Sequence, residues 1–485
     1  MGSVVVGLGK TGASCLRYLA KHGVTVTATD SRHEPPGLAE IGHLARTLDI
    51  RLGGFDVSLL EGASQVLMSP GVSLDEPIAK QARARGIEII GDVELFARAV
   101  RAPVIGITGT NGKSTVTSLV ASMASAAGRR VLAGGNLGKP ALDLLDQPLP
   151  DLYVLELSSF QLETTSSLDL LAAAVLNVTA DHMDRYATVE EYARAKARIL
   201  ARAATVVLNA DDPRVLDMRG AVGGGGELAA AADGLPERTA QDGGPADLGV
   251  AHRGPGESGP GNRGRAARAV TFSTQRADAD YTLMRRAGQT FLARRGEPVF
   301  DASRMKITGL HNAANALAAL ALGDAAELPQ PAMLDALEAF AGLPHRSAWV
   351  ADIAGVRYVD DSKGTNVGAT IAAVDGLKGP LILIAGGDGK GQDFAPLAAA
   401  FKGKVRHVVL IGRDAPALEQ ALAGVSTTAR ARSMEDAVAA AARAARPGDT
   451  VLLSPACSSL DMFRDYGHRG DVFAGVVRAL AGAPP

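Results

Sequence analysis

Short runs of Val, Ile and Leu alternate with longer Ala-rich stretches of helical spacing along most of the chain. Residues 4–6 form the first apolar run, and a helical stretch follows as far as Ala20. A second run, 24–28, leads to Asp30. Similar runs recur at 104–107, 153–157, 173–178 and 205–209, and again at 356–359, 381–385, 407–411 and 450–453. Strands alternating with helices predict parallel sheets and an α/β fold.

A length of 485 residues suggests roughly three domains at about 150 residues each. We expect them over 1–91, 92–342 and 343–485. Between 220 and 268 the periodicity stops and Gly, Ala and Pro accumulate. Such a tract buries too little apolar surface to offset its ordering entropy, which predicts a flexible surface insertion. Order is expected again at 269–273.

The most informative segment follows the run at 104–107. It reads Gly109, Thr110, Asn111, Gly112, Lys113, Ser114, Thr115, and a helix is predicted from Val116 onward. Glycines there let backbone N–H groups approach phosphate oxygens, and the helix N-terminus adds positive potential. Lys113 would reach the terminal phosphates, and a hydroxyl of Ser114 or Thr115 would hold Mg²⁺. The spacing departs from G-x-x-x-x-G-K-[ST], because Ile107 stands at the first glycine position. A chance lysine in an ordinary glycine-rich turn is the competing reading; the strand before and the helix after speak against it. Gly7, Gly9 and Gly12 mark a second strand-to-helix turn, with Asp30 ending the next strand. NAD is one ligand for such a turn and another nucleotide diphosphate is a second. The cradle at Lys113 disfavours a simple dehydrogenase.

Carboxylates stand at two further strand ends, Glu156 within 155–162 and Asp181 beside His182 within 177–184. Hard oxygen ligands with an occasional His suit Mg²⁺ bridging to phosphates. Helical spacing places Lys196 on one face with Tyr192, Ala195 and Ile199. It is either a lysine laying its stem along an apolar stripe, or a buried amine kept neutral by desolvation and able to take up CO₂ as a carbamate. Asn312 and Asn315 share a helix face and open the helix expected over 315–322, either capping it or presenting amides to a base. Loops at 360–366, 386–390 and 454–461 each follow a strand of the last third. Ligands bind beyond the carboxyl ends of such strands, so the three loops look like one site at one sheet edge.

Composition narrows the classes further. A net charge of −2, from 50 basic and 52 acidic residues, gives no reason to expect nucleic acid or an anionic membrane as partner. Cys15 and Cys457 cannot build a disulfide framework, which points to a reducing compartment. No segment has the length and apolarity of a membrane span, and the N-terminus lacks a secretory pattern. A cytoplasmic protein is expected.

Taken in order, and over nearly the whole chain except 220–268, these motifs resemble the Mur ligases. The string from Asp360 to Asn366 and the string from Ser454 to Asp461 bring it closest to the branch that adds D-glutamate. The segments typical of diaminopimelate- and lysine-adding relatives are absent, and Gly112-Lys113-Ser114-Thr115 differs from the Gly-Lys-Gly-Ser usual in folylpolyglutamate synthetases. The resemblance implies three α/β domains: a Rossmann-like N-terminal domain, a P-loop-type central ATPase domain and a Rossmann-like C-terminal domain. It also implies a monomeric ligase of cytoplasmic peptidoglycan precursor synthesis. ATP phosphorylates the carboxylate of UDP-MurNAc-L-Ala, and the amine of D-glutamate attacks the acyl phosphate, with two Mg²⁺ ions, or Mn²⁺, neutralising charge.

Carried onto this sequence, the resemblance gives Gly109 to Thr115, Asn312, Asn315, Arg346 and Asp361 to ATP. Ser114, Thr115, Glu156, His182 and a carbamylated Lys196 go to the metals. Lys113, Glu156, His182 and Lys196 form the catalytic set. Lys10, Thr11, Asp30, Ser31, Arg32, Ser69, Asn136 and His182 surround the uridine-sugar substrate. Lys363, Thr365, Lys390, Ser459, Leu460 and Tyr466 gather at the incoming amino acid; the family usually has Phe at the position of Tyr466. Three alternatives remain open: a branch that uses L-glutamate, an NAD-dependent oxidoreductase, and a nucleotide-gated binding protein without ligase activity.

Overall fold

The computed structural model describes residues 2–221, 267–307, 309–377 and 379–482. The α/β expectation holds, with three separate sheets. In the first, Gly2–Val6 lies between Val26–Asp30 and Ala63–Met68, with Ile50–Leu52 and Glu88–Ile90 at the edges, all parallel. Its central strand is apolar from Val4 to Val6 because both faces are covered. Val5 belongs to the core under helix Lys10–Lys21, and Val4 and Val6 to the core under helix Pro77–Ala84. The strand order reverses beside Gly2–Val6, which opens a crevice beyond the carboxyl ends. Gly7 turns the chain there at φ +91°, and a Cβ on Gly12 would lie 1.9 Å from the Gly7 carbonyl oxygen. The turn therefore requires glycine at both positions.

The second sheet has Val104–Thr108 at its heart, flanked by Leu152–Glu156 and Leu170–Val175. Val131–Gly135 extends one side, and Ala203–Asn209 and Arg268–Ser273 extend the other, all parallel. Tyr281–Arg286, Gln289–Arg294 and Glu297–Asp301 complete it, the last two pairings antiparallel. Sequence reading did not find these three strands. Their turns are Ala287-Gly288 and Arg295-Gly296, with positive φ at all four residues. That is the geometry of a two-residue hairpin turn, without the Asn-Gly or Asp-Gly that usually advertises it. Helix Lys113–Ala126 packs on the sheet and against helices Leu310–Ala325 and Gln330–Ala339, burying Leu119, Val120 and Met123.

In the third sheet Thr450–Leu453 sits between Val356–Asp360 and Leu381–Gly386. Val405–Ile411 and Thr427–Arg430 continue it in parallel, and Ala348–Ile353 closes the other edge antiparallel. The three loops expected at one edge are thus neighbours.

Several element boundaries differ from the sequence reading; the helix expected from Val116, for instance, starts at Lys113. The strand expected over 24–28 is Val26–Asp30, and that expected over 173–178 is Leu170–Val175. The helix expected over 315–322 starts earlier, as Leu310–Ala325. Of the insertion expected over 220–268, residues 222–266 lie outside the described residues. Cys15 and Cys457 are free and buried. Among the described residues no helix is long and apolar enough to cross a membrane.

Asp92 starts helix Asp92–Ala99 and is 1 % exposed. One of its oxygens accepts from Gln161 Nε2 at 3.2 Å, and the other has no partner. Burial pushes its carboxyl up to about 6, whereas in the unfolded chain it titrates near 3.9. A group raised on folding loses stability as pH climbs from the unfolded toward the folded value. Between pH 5 and pH 8 the protein should therefore lose about 1.4 kcal/mol relative to Asp92→Asn. Denaturant titrations of both proteins at the two pH values check this; an unchanged gap would show that Asp92 titrates normally.

Candidate active site

Since Leu152–Glu156 and Leu170–Val175 flank Val104–Thr108, the loops after all three strands converge. Gly112 enters helix Lys113–Ala126 in the left-handed region. A Cβ there would sit 2.4 Å from Asn315 Oδ1. Lys113 Nζ turns back to the carbonyls of Gly109 and Thr110, at 2.8 Å each. Lys196 Nζ reaches the same Gly109 carbonyl at 2.9 Å and lies 4.2 Å from the centre of the Tyr192 ring. The apolar stripe is real, and the amine stands at its inner end, 1 % exposed. Burial, reinforced by the charge of Lys113, holds the Lys196 amine well below its ordinary value. Desolvation thus favours its uncharged form.

Glu156 Oε1 accepts from Asn136 Nδ2 at 2.7 Å. Its Oε2 is buried without a hydrogen-bond partner. Burial opposes its ionisation, but Lys113, the nearby Ser114 hydroxyl and Asn136 together hold the carboxyl below its usual range. Burial likewise lowers Lys113, with Glu156 and Asp181 opposing. His182 sits at φ +58°, a strained conformation for a residue with a Cβ. Burial pushes its imidazole down despite the adjacent Asp181, leaving a neutral ring with a nitrogen free to ligate.

These groups line a cavity of about 260 Å³ together with Arg346, Lys363, Thr365 and Lys390. Four cationic side chains and the amine of Lys196 face the two carboxylates Glu156 and Asp181 there. Lys390, itself at φ +51°, pairs with Asp181 at 3.6 Å. Burial and neighbouring Arg346 bring Lys363 down to about 8.

A second cavity, about 520 Å³, adjoins the first and is lined by Asn111, Gly112, Thr115, Asn312, Asn315, Arg346 and Asp361. Gly309 holds the helix N-cap, so neither Asn is the cap. Asn315 Nδ2 donates to Asn312 Oδ1 at 3.2 Å. Arg346 donates to Ser114 Oγ at 2.9 Å. Ser114 lines the cavity of Glu156 and Thr115 the other, so the two hydroxyls serve different sides. Asp361 accepts from Ser454 Oγ and the Ser347 N–H, and burial pushes it up to about 7.

A groove of about 660 Å³ carries Lys10, Thr11, Asp30, Ser31, Arg32 and Ser69. Asp30 spends its carboxylate on the Leu8 N–H and the Arg32 guanidinium, which fixes both the glycine turn and Arg32. Asn136 lines this groove and the Glu156 cavity alike, and so joins them.

Not every expected residue lines a cavity. Ser459 and Leu460 line none of the three cavities: Ser459 is buried in its loop, and Leu460 is 71 % exposed. Tyr466 lines none either, but its ring centre lies 3.8 Å from Lys363 Nζ. Sequence reading assigned no role to Gln161, Asn366 or Arg185, although the first two stood in segments it had singled out. Arg185 lies 4.5 Å over the Phe160 ring and donates to the carbonyls of Pro70 and Val72, tying the loop of His182 to the groove.

No three His, Cys, Asp or Glu come together as a metal cage among the described residues. The partnerless Glu156 Oε2, the Ser114 hydroxyl and neutral His182 instead suit a hard cation that takes its remaining oxygens from phosphate.

Three family models match in sequence: the Mur ligase MurD-like N-terminal domain over residues 2–91, the Mur ligase middle domain over 107–224, and the Mur ligase glutamate ligase domain over 345–457. The chain belongs to the Mur ligase family. It is 50 % identical over 480 residues to the UDP-N-acetylmuramoylalanine–D-glutamate ligase of Nitrosococcus oceani, covering 99 % of this chain and 96 % of that protein. The enzyme of the same name from Methylococcus capsulatus is 46 % identical over 479 residues, 99 % of this chain and 95 % of that protein. Among solved structures, a pseudomurein peptide ligase type C from Methanothermus fervidus shares the fold with a TM-score of 0.59 at 17 % identity, covering 99 % of this chain and all of that one. The UDP-N-acetylmuramate–alanine ligase MurC of Thermotoga maritima does so with a TM-score of 0.56 at 17 % identity and the same coverage.

Gly112→Ala should weaken nucleotide binding at least tenfold. The new Cβ both strains φ +87° and displaces Asn315, and left-handed backbone costs a non-glycine residue about 1 kcal/mol. Calorimetric titration with ATP checks it; unchanged affinity would show that the loop accommodates a side chain.

Proposed function

We propose that the protein is an ATP-dependent ligase that joins D-glutamate to UDP-N-acetylmuramoyl-L-alanine, in peptidoglycan precursor synthesis. The observation that carries this reading is the charge of the 260 Å³ cavity, where four cationic side chains, Lys113, Arg346, Lys363 and Lys390, converge on two carboxylates. That imbalance calls for several anionic groups at once, as when a terminal phosphate, a substrate carboxylate and an amino-acid dicarboxylate meet. The near-identical length and about 46–50 % identity to the D-glutamate ligases support the same substrates. They favour D-glutamate over an L-glutamate-adding branch.

The chain divides by function into 1–91, 92–342 and 343–485, and acts as a cytoplasmic monomer. The groove around Lys10, Thr11, Asp30, Ser31, Arg32 and Ser69 holds the uridine diphosphate end, and Asn136 and His182 receive the sugar end that carries the reacting carboxylate. The cavity around Asn312, Asn315 and Asp361 holds the nucleoside of ATP, whose phosphates run past Gly112 to Lys113. Glu156, Ser114 and His182 would hold Mg²⁺, which when bound would supply charge neutralisation to the phosphates. Lys113 is the nearest fixed cation to the phosphoryl group in transfer, and Arg346 flanks it. Lys363, Thr365 and Lys390 fix the two carboxylates of the incoming glutamate, so one enantiomer aims its amine at the acyl phosphate. The neutral Lys196 amine adds to CO₂ with loss of one proton, giving a carbamate whose negative charge offsets Lys113.

Initial rates with UDP-MurNAc-L-Ala and the pure enantiomers test the reading. D-glutamate should release phosphate at least a hundredfold faster than L-glutamate; a preference for L-glutamate would overturn the substrate. Lys113→Ala should reduce turnover on the order of a hundredfold or more, with the fold intact, because a fixed cation is lost from a preorganised site. Near-normal ADP release by the folded variant would overturn the role of Lys113. Lys196→Ala should also lose activity and recover part of it with added short-chain carboxylates; ¹³CO₂ labelling of the wild-type protein should give a carbamate resonance that the variant lacks.

A further inference from the structure

Asn366 begins helix Val367–Gly376 and is 2 % exposed. Its carboxamide makes contacts in three directions. Oδ1 accepts from the Ala369 N–H at 2.8 Å, which caps the helix. The same oxygen accepts from Asn111 Nδ2 at 3.2 Å, while Asn366 Nδ2 donates back to Asn111 Oδ1 at 3.1 Å. That nitrogen also donates to Asp181 Oδ2 at 3.2 Å. One buried amide therefore joins the phosphate-loop residue next to Gly112, the carboxylate beside His182, and the loop that bears Lys363 and Thr365. The two asparagines are 255 residues apart in sequence. Asn111 is itself pinned from its own side, its N–H donating to Asn177 Oδ1 at 2.8 Å.

A helix cap alone needs only the acceptor oxygen. The reciprocal amide pair and the donor to Asp181 exceed that need, and both point into the cavity that Asn366 helps to line. We propose that Asn366 is a positioning residue for the ligation reaction: its amide sets the spacing between the phosphate loop and the amino-acid loop, acting through Asn111 and Asp181. This rests on the ligase reading above. A displacement near 1 Å between reacting groups costs on the order of a hundredfold in rate, so loss of the bridge should appear in kcat rather than in KM.

The test replaces Asn366 by Ser, which keeps a capping oxygen but is too short to reach Asn111. Asn366→Ser should keep the thermal midpoint of the wild type and the KM for each substrate within threefold, and lower kcat at least tenfold. Asn111→Ala should lower kcat similarly, and the double variant should fall within twofold of the worse single one, because both remove the same bridge. Hydrogen exchange in the ligand-free protein gives a readout that needs no ligation: amides of residues 109–114 should exchange at least tenfold faster in Asn366→Ser. Unchanged exchange at 109–114, or strictly multiplicative losses in the double variant, would overturn the proposal. So would a drop in thermal midpoint with normal kcat in the folded fraction, since that is what a cap alone would give. If the wild type ligates no amino acid while the exchange coupling is present, the bridge stands and the ligase reading falls.

Discussion

Everything around the central cavity depends on an imbalance of charge. Lys113, Lys196, Arg346, Lys363 and Lys390 are drawn together from two sheets, against Glu156 and Asp181 alone. Buried cations in excess are costly unless they are neutralised or lose their protons. The protein does some of both. Lys196 is pushed toward its neutral form, Lys363 is brought down to about 8, and Lys113 rests on two carbonyl dipoles. What remains is a site preorganised for anions, in which the donors are already ordered and little is left to rearrange when phosphate arrives.

Topology is what allows such a concentration. Glu156 and His182 follow strands on opposite sides of Val104–Thr108, and Lys113 follows that strand itself. In the third sheet Thr450–Leu453, late in the chain, inserts between two earlier strands. This sets the loops of Lys363 and Lys390 on either side of the loop that follows Leu453. Both sheets thus deliver polar loops from carboxyl ends, and the two sets of loops face each other across one cavity. Two of the residues that line the cavity, His182 and Lys390, adopt positive φ, a cost that persists only where surrounding contacts over-determine the backbone.

Much of this was legible before any coordinates. Glycine-rich turns and strand-end carboxylates advertise themselves because their chemistry needs particular residues at particular offsets, and buried parallel strands write continuous apolar runs. The hairpins after Tyr281 did not advertise themselves, since Ala287 and Arg295 occupy positions where Asn or Asp would have been a signal. The face of Lys196 was readable from helical spacing, but its partner, the Gly109 carbonyl, was not, because spacing within one helix says nothing about what lies opposite. For the same reason Asn366 passed without a role: it stood inside a conspicuous string, yet its importance lies in contacts with residues far away in sequence. Ser459 and Leu460 show the converse. Proximity to a strand end suggested the cavity, but the loop bends so that one is buried in its own turn and the other faces solvent.

The contacts that join the parts of the molecule differ in kind, and the difference bears on how the site works. Between the first two sheets the join is substantial: Leu16, Leu19, Val93, Phe96, Leu142 and Tyr153 share one core, and Arg17 holds Asp143 through two hydrogen bonds. Between the second and third it is mostly polar and sits at the cavity itself, through Arg346 to Ser114, Asn366 to Asn111, and Lys390 to Asp181. Apolar burial is indifferent to ligands, whereas hydrogen bonds and ion pairs around a charged cavity strengthen or weaken with what the cavity holds. The groove and the phosphate loop are thus fixed to each other by packing. The loops of Lys363 and Lys390 are held in place by the same groups that meet the anions. An anion entering the cavity competes for Lys113 and Lys390 with the carbonyls and carboxylate they now contact, so ligand binding and the join between the second and third sheets draw on one set of side chains.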